Sequence, residues 1–219
     1  MVHGDELPDW DFHIPSKLVA PALIAADFGL EYITYARQGA SNDLIIRRVS
    51  EYLLNDYRPG DFVFIGWSSL YRKELYVPAL GHSLNFIPNY FTDSNFEHLE
   101  DNIIKDIMRV HQYYVDTIET IDLDLLMIDF TEKVNMLYHA LENLSLPFIM
   151  VRMLSEYKDI SQSLIQTLSS HPNFYLGHDS MMQYLSSFND ARSLFNPGRH
   201  PNEEGQRRIQ SLVMDYMQQ

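Results

Sequence analysis

Leu146-Pro147-Phe148-Ile149-Met150-Val151-Arg152-Met153 is a nearly continuous apolar run, and Asp61-Phe62-Val63-Phe64-Ile65-Gly66 is a second. Runs this short and apolar suit strands buried on both faces, as in a parallel sheet, rather than half-solvated antiparallel strands. Phe174-Tyr175-Leu176 is a further candidate strand, and Glu31 to Ala36, rich in β-branched and aromatic residues, reads as an earlier one.

Helical patterns lie between these strands. Ser16 can cap a helix running to about Phe28, with Leu18, Val19, Leu23 and Ile24 inward, Pro21 kinking or delaying its start, and Gly29 as its stop. Asn42 to Tyr57 places Leu44, Ile45, Val49, Leu53 and Leu54 at helical spacing, and Pro59-Gly60 ends it. Helices are also expected over 93–120, 131–143, 159–170, 180–187 and 201–217, while Leu123 to Phe130 is ambiguous between strand and helix. Alternation of apolar strands with helices predicts a three-layer α/β/α sandwich with a mostly parallel sheet. The whole of 1–219 reads as a single domain. Within it, 67–92 is expected to be a long ordered loop and 93–143 a helical insertion.

Composition narrows the function. The chain has 16 basic and 30 acidic residues and a formal charge of -14. So acidic a body repels phosphate backbones, which argues against nucleic-acid binding. With no cysteine, disulfides, thiolate catalysis and Cys-type zinc sites are excluded. No HExxH spacing occurs, so neither a metal nor another cofactor is expected. GxGxxG, GxxxxGK[ST] and GxSxG are absent too. No apolar run is long enough for a membrane span, and the polar, acidic start lacks the look of a signal peptide, so a cytoplasmic protein is expected, in the host cell if the chain is viral.

In a parallel sheet, ligands bind beyond the carboxyl ends of the strands. The turn after Ala36, the loop after Gly66 and the segment after Met153 are therefore expected to line one crevice, and three segments carry candidate chemistry. In the first, Gly39 can adopt positive φ, and Ser41 or Asn42 can cap the following helix; the plainer reading is a glycine turn with a good cap. In the second, Gly66-Trp67-Ser68-Ser69-Leu70-Tyr71-Arg72-Lys73-Glu74, hydroxyls can donate into the crevice and Arg72 can clamp a carboxylate or phosphate; alternatively Arg72 and Glu74 are merely solvated or paired locally. In the third, His200 stands between Pro197 and Pro201 before the last helix, a setting suited to proton transfer. His98, His111 and His139, on expected helices, read as surface or rim residues.

The order of these segments resembles the SGNH (GDSL-like) hydrolases, in particular divergent phage-type members. Tyr35-Ala36-Arg37-Gln38-Gly39-Ala40-Ser41-Asn42 is similar to the family's glycine block, Asp61 to Ser69 to its third block, His200-Pro201-Asn202-Glu203-Glu204-Gly205 to its histidine block, and His3-Gly4-Asp5-Glu6-Leu7-Pro8-Asp9 to the stretch after the nucleophile. The resemblance implies a flavodoxin-like domain that hydrolyses a small ester or an acetylated glycan without a metal. His200 would be the base, and the Gly39 amide and Ser68 oxyanion donors, with Ser41, Asn42, Gly66 and Arg72 lining the ligand site. The departures are specific. The strand and nucleophile turn that open the family fold would lie upstream of Met1. Ser68 stands where the family has asparagine, and Pro197 where it has the acid that orients the histidine. Asp190 or Asp179 is the expected substitute for that acid, and Ser41 is the serine nearest a matching glycine. Rival readings are a non-catalytic binding protein, phage structural or host-interacting, on the same scaffold, and a nucleotide- or sugar-phosphate-binding domain using Arg72 and the Asn42 helix terminus. Oligomeric state is left open.

Overall fold

A computed structural model describes residues 7–9, 16–37, 39–87, 99–118, 120–154, 167–168, 170–175, 180–197 and 200–218. In chain order the elements are α1 (Ala20–Asp27), α2 (Asn42–Asn55), β1 (Val63–Trp67), β2 (Lys73–Val77), β3 (His82–Phe86), α3 (Asp101–Ile118), α4 (Leu123–Asn143), β4 (Phe148–Arg152), β5 (Phe174–Tyr175), α5 (Met181–Ser186) and α6 (Glu203–Met217). Strands β1, β4 and β5 form a parallel sheet in that order, with Val63 opposite Phe148 and Trp67 opposite Arg152.

The expected three layers follow from side-chain alternation on these strands. Phe148 and Met150 of β4, with Ile65 and Trp67 of β1 and Phe174 of β5, pack into one core with Ile107 and Tyr114 of α3 and Phe130, Val134 and Leu141 of α4. Ile149, Val151 and Tyr175 face the other way, into a second core with Ile24 of α1, Leu185 of α5 and Ile209 and Val213 of α6. Every residue of β4 is buried, which is why LPFIMVRM shows no polar alternation. The fold is therefore mixed α/β with helices on both faces of a parallel sheet.

Several expectations need correction. The region read as a long loop holds an antiparallel hairpin, β2 against β3, joined through a 3-10 turn at Pro78–Leu80. Leu123 to Phe130 is helix, continuous with the rest of α4. Ser16 does not cap α1, which begins at Ala20; its hydroxyl donates to Asp9 instead, and Pro21 sits in the first turn, where its missing N–H costs nothing. Residues 93–98 and most of 159–170 lie outside the described residues. Among the described residues, no helix is long and apolar enough to cross a membrane.

Glu31 to Ala36 is the instructive correction. It is extended, and its residues alternate between exposed and half-buried, as a strand's would. Tyr32 turns toward α1 and packs with Leu7, Val19 and Ala22, while the Tyr35 ring lies 5.7 Å from Tyr52 of α2. The segment thus lies between α1 and α2. Yet among the described residues it belongs to no ladder, and β1 pairs only with β4.

Candidate functional site at the carboxyl end of the sheet

Asn42 ties the first two predicted segments together. As the first residue of α2 it is only 7% exposed. Its Oδ1 accepts the Ser68 backbone N–H at 2.8 Å, and its Nδ2 donates to the Ser68 and Ser69 carbonyls at 3.3 and 3.4 Å. The turn leaving β1 is thereby fixed to the start of α2. Ser41 caps that helix: its hydroxyl accepts the Leu44 N–H at 3.2 Å, and the residue is fully buried. Its own N–H donates to Asn85 Oδ1 on β3 at 3.0 Å, so the hairpin braces the same corner. Gly39 has φ of 70°, the left-handed conformation its turn requires. Gly66 is half-buried within β1, opposite Val151.

Arg72 lines a narrow cleft beside Asn42, with Asp43, Lys73, Asp129 and Lys133. Lys133 Nζ stands 2.7 Å from Asp43 and 2.6 Å from Asp129, joining α4 to α2, and Lys73 reaches Asp129 at 3.5 Å. Burial pulls the Lys133 pKa down, but the Asp129 and Asp43 carboxylates outweigh it and hold the ammonium above the ordinary lysine value. Glu74 lies apart from this group and pairs with Arg47 at 2.5 Å.

His200 stands on the opposite helical layer at the same end of the sheet. The hydroxyl of Tyr216, near the C-terminus of α6, donates to the carbonyls of Pro172 and Phe174, so that end of the helix lies at the start of β5. The helix has 15 residues and spans about 22 Å. It therefore returns its N-terminus, and His200 just before it, toward the carboxyl ends of the strands. Asn202 caps α6 by accepting the Gly205 N–H at 3.1 Å, and the His200 carbonyl accepts the Asn196 N–H at 2.8 Å. His200 is half-buried beside a second hollow lined by Pro8, Asn196, Asn202, Glu203, Glu204 and Arg207. Neither that hollow nor the Arg72 cleft includes the other's residues. The geometry thus brings Gly39, Ser41, Asn42, Ser68 and Arg72 into one corner and leaves His200 across the sheet end from them.

Of the acids suggested for His200, Asp190 is engaged elsewhere: its carboxylate takes Arg208 of α6 at 2.9 Å. Asp179, and the stretch His3-Gly4-Asp5, lie outside the described residues. Among the described residues, no group of three potential metal-ligating side chains occurs.

Arg152 and His171 are buried polar residues that the sequence reading passed over. Arg152 closes β4 at 3% exposure, on the same face as Phe148 and Met150. The signal was a lone cation in an otherwise apolar strand; a buried guanidinium persists only where it is paired. His171, 9% exposed, precedes β5 and offered no such signal. It lies near the amino end of the sheet, away from this site, with its Nε2 2.5 Å from Asn135 Oδ1.

No family model, curated protein or solved structure matches this chain. Likeness to the SGNH hydrolases therefore rests on the quoted segments.

Proposed function

We propose that this chain is a ligand-binding protein on an SGNH-like α/β scaffold, and that its own serines do not turn over an ester. The observation behind this reading is the state of Ser41. Its hydroxyl is fully buried and accepts from the α2 backbone, whereas a nucleophile needs an open approach and a base within hydrogen-bond reach. Ser68 is nearly as enclosed, and its backbone is held by Asn42. What the corner offers instead is recognition, by the Gly39 turn and the cleft that Arg72 lines, with the Asn42 amide holding the corner's shape. The resemblance implies a small ester or acetylated glycan as ligand. Acetylated sugars should therefore raise the melting temperature of the full chain more than nucleotides do, without being consumed.

A second reading has one observation in its favour, the return of His200 to the sheet end that carries Gly39 and Ser68. Under it the protein is an esterase with His200 as base, and the attacking serine is that of a GDS-like turn absent from the described residues. Turnover of p-nitrophenyl acetate separates the two. The binding reading expects the chain and its His200→Ala variant to be equally inactive. The esterase reading expects His200→Ala to cost about 100-fold or more in a form extended upstream by a strand ending in a GDS-like turn. A fall of that size in the present chain would overturn the binding reading outright.

A further inference from the structure

Residues 31–36 have the shape of a strand and, among the described residues, no ladder. In an extended chain, successive backbone groups point to opposite edges. Along one edge stand the N–H and C=O groups of Glu31, Ile33 and Tyr35, and among the described residues none of these groups makes a hydrogen bond. On the other edge the Ala36 N–H already donates to Thr34 Oγ1 at 3.1 Å. The residues of the first edge are also exposed, Ile33 at 66%. An unpaired row of this kind is a ready template for another strand. Its shape is set in advance, because Tyr32 packs with Leu7, Val19 and Ala22, and the Tyr35 hydroxyl donates to Asp56, just past α2, at 2.8 Å. A partner therefore meets a stretch that needs little further ordering.

The charge around the stretch selects the partner. Glu31 lies within it, and the carboxylates of Asp56 and Asp61 both act on Tyr35. The hydrogen bond to Asp56, burial and then these two charges raise the Tyr35 pKa, and Arg58 opposes them. Arg37 follows the stretch, yet the chain as a whole carries a formal charge of -14. A second copy would bring the same charge to the same place, whereas a cationic segment is drawn to it. We propose that residues 31–36 receive an added β-strand from a basic partner protein: an extended apolar segment flanked by lysine or arginine, paired through its backbone with Glu31, Ile33 and Tyr35. Main-chain hydrogen bonds hold the segment, its apolar side chains cover Ile33, and its flanking cations meet Glu31 and Asp56.

The probe is a short fluorescent peptide of valines and threonines between paired lysines, titrated with the full chain and followed by anisotropy at low ionic strength. Saturable binding is expected, and added salt should weaken it. Replacing the flanking lysines with glutamates should weaken binding by about tenfold or more. Methylating the peptide's backbone nitrogens keeps its charge and side chains but removes its ladder donors, and should cost about as much. Ile33→Pro removes a ladder donor from the protein at an exposed position and should also weaken binding by about tenfold or more, with circular dichroism checking the fold. The methylated peptide leaves the protein untouched, so it decides the matter if that variant does not fold. No binding by the parent chain, or equal binding of the glutamate-flanked or the methylated peptide, would overturn the inference. So would unchanged binding by folded Ile33→Pro. A parent chain that is already a stable dimer at low ionic strength, and a monomer as Ile33→Pro, would give the edge to a second copy and overturn it too.

Discussion

His171 shows how one enclosed ring can set a pH limit on the fold. It stacks on Tyr138 with ring centroids 4.1 Å apart, and its Nε2 meets Asn135 Oδ1. Burial lowers its pKa, the neighbouring His139 adds to this, and Glu142 opposes it. The folded protein therefore holds the ring neutral, whereas the unfolded chain accepts a proton near the ordinary value of about 6.5. Stability is full above that pH and falls as pH drops through it toward the lower folded value. Urea midpoints at pH 7.5 and 5.5 should show this loss, and His171→Gln should show a smaller one. An equal loss in the variant would assign the pH dependence to other groups. Asn42 is a contrasting case at the same scale: its residue type was legible as a helix cap, but Ser41 took that role and freed the Asn42 amide to hold the Ser68 turn.

At the level of elements, α6 is fixed by a close approach at Gly205. A Cβ there would stand 2.5 Å from the Leu194 carbonyl oxygen and 3.1 Å from Pro201 Cβ. The helix start is pressed against backbone, which cannot swing away as a side chain tip can. Gly205→Ala should destabilise the protein by about 1–3 kcal/mol or more, seen as a lower urea midpoint; a change below about 0.5 kcal/mol would mean that the helix shifts at little cost. The histidine-block likeness marked this glycine without giving its reason. Elsewhere, what could be read depended on where each element's stability comes from. Strands β1 and β4 were legible because burial on both faces writes itself as unbroken apolar sequence. The hairpin was not, since Lys73-Glu74-Leu75-Tyr76-Val77 mixes charge with apolar residues, and its partner His82-Ser83-Leu84-Asn85-Phe86 is no clearer. Glu31 to Ala36 shows the opposite limit: local preference gave its extended shape correctly, but a ladder needs a neighbour, which no local reading supplies. The candidate site was legible in part, for the same reason. Gly39, Asn42, Ser68 and Arg72 come together because the start of α2 is bonded to the turn leaving β1; the Lys133–Asp43 pair depends on packing between helices far apart in the sequence.

For the molecule as a whole, the balance between a strongly acidic composition and an exposed apolar stretch decides how it behaves at high concentration. Leu30, Ile33 and Tyr35 are 43%, 66% and 38% exposed on the unladdered stretch. Natural proteins blunt exposed extended stretches with charge or cover. Here the -14 charge keeps copies apart through long-range repulsion, which salt screens over about 10 Å at 0.1 M. Self-association should therefore rise with ionic strength, and Ile33→Lys should suppress it, both read by light scattering. Equal scattering from the two proteins at high salt would place the sticky surface elsewhere. A buffer chosen to mimic seawater would then be a poor choice for storing this protein, and a dilute one a good choice.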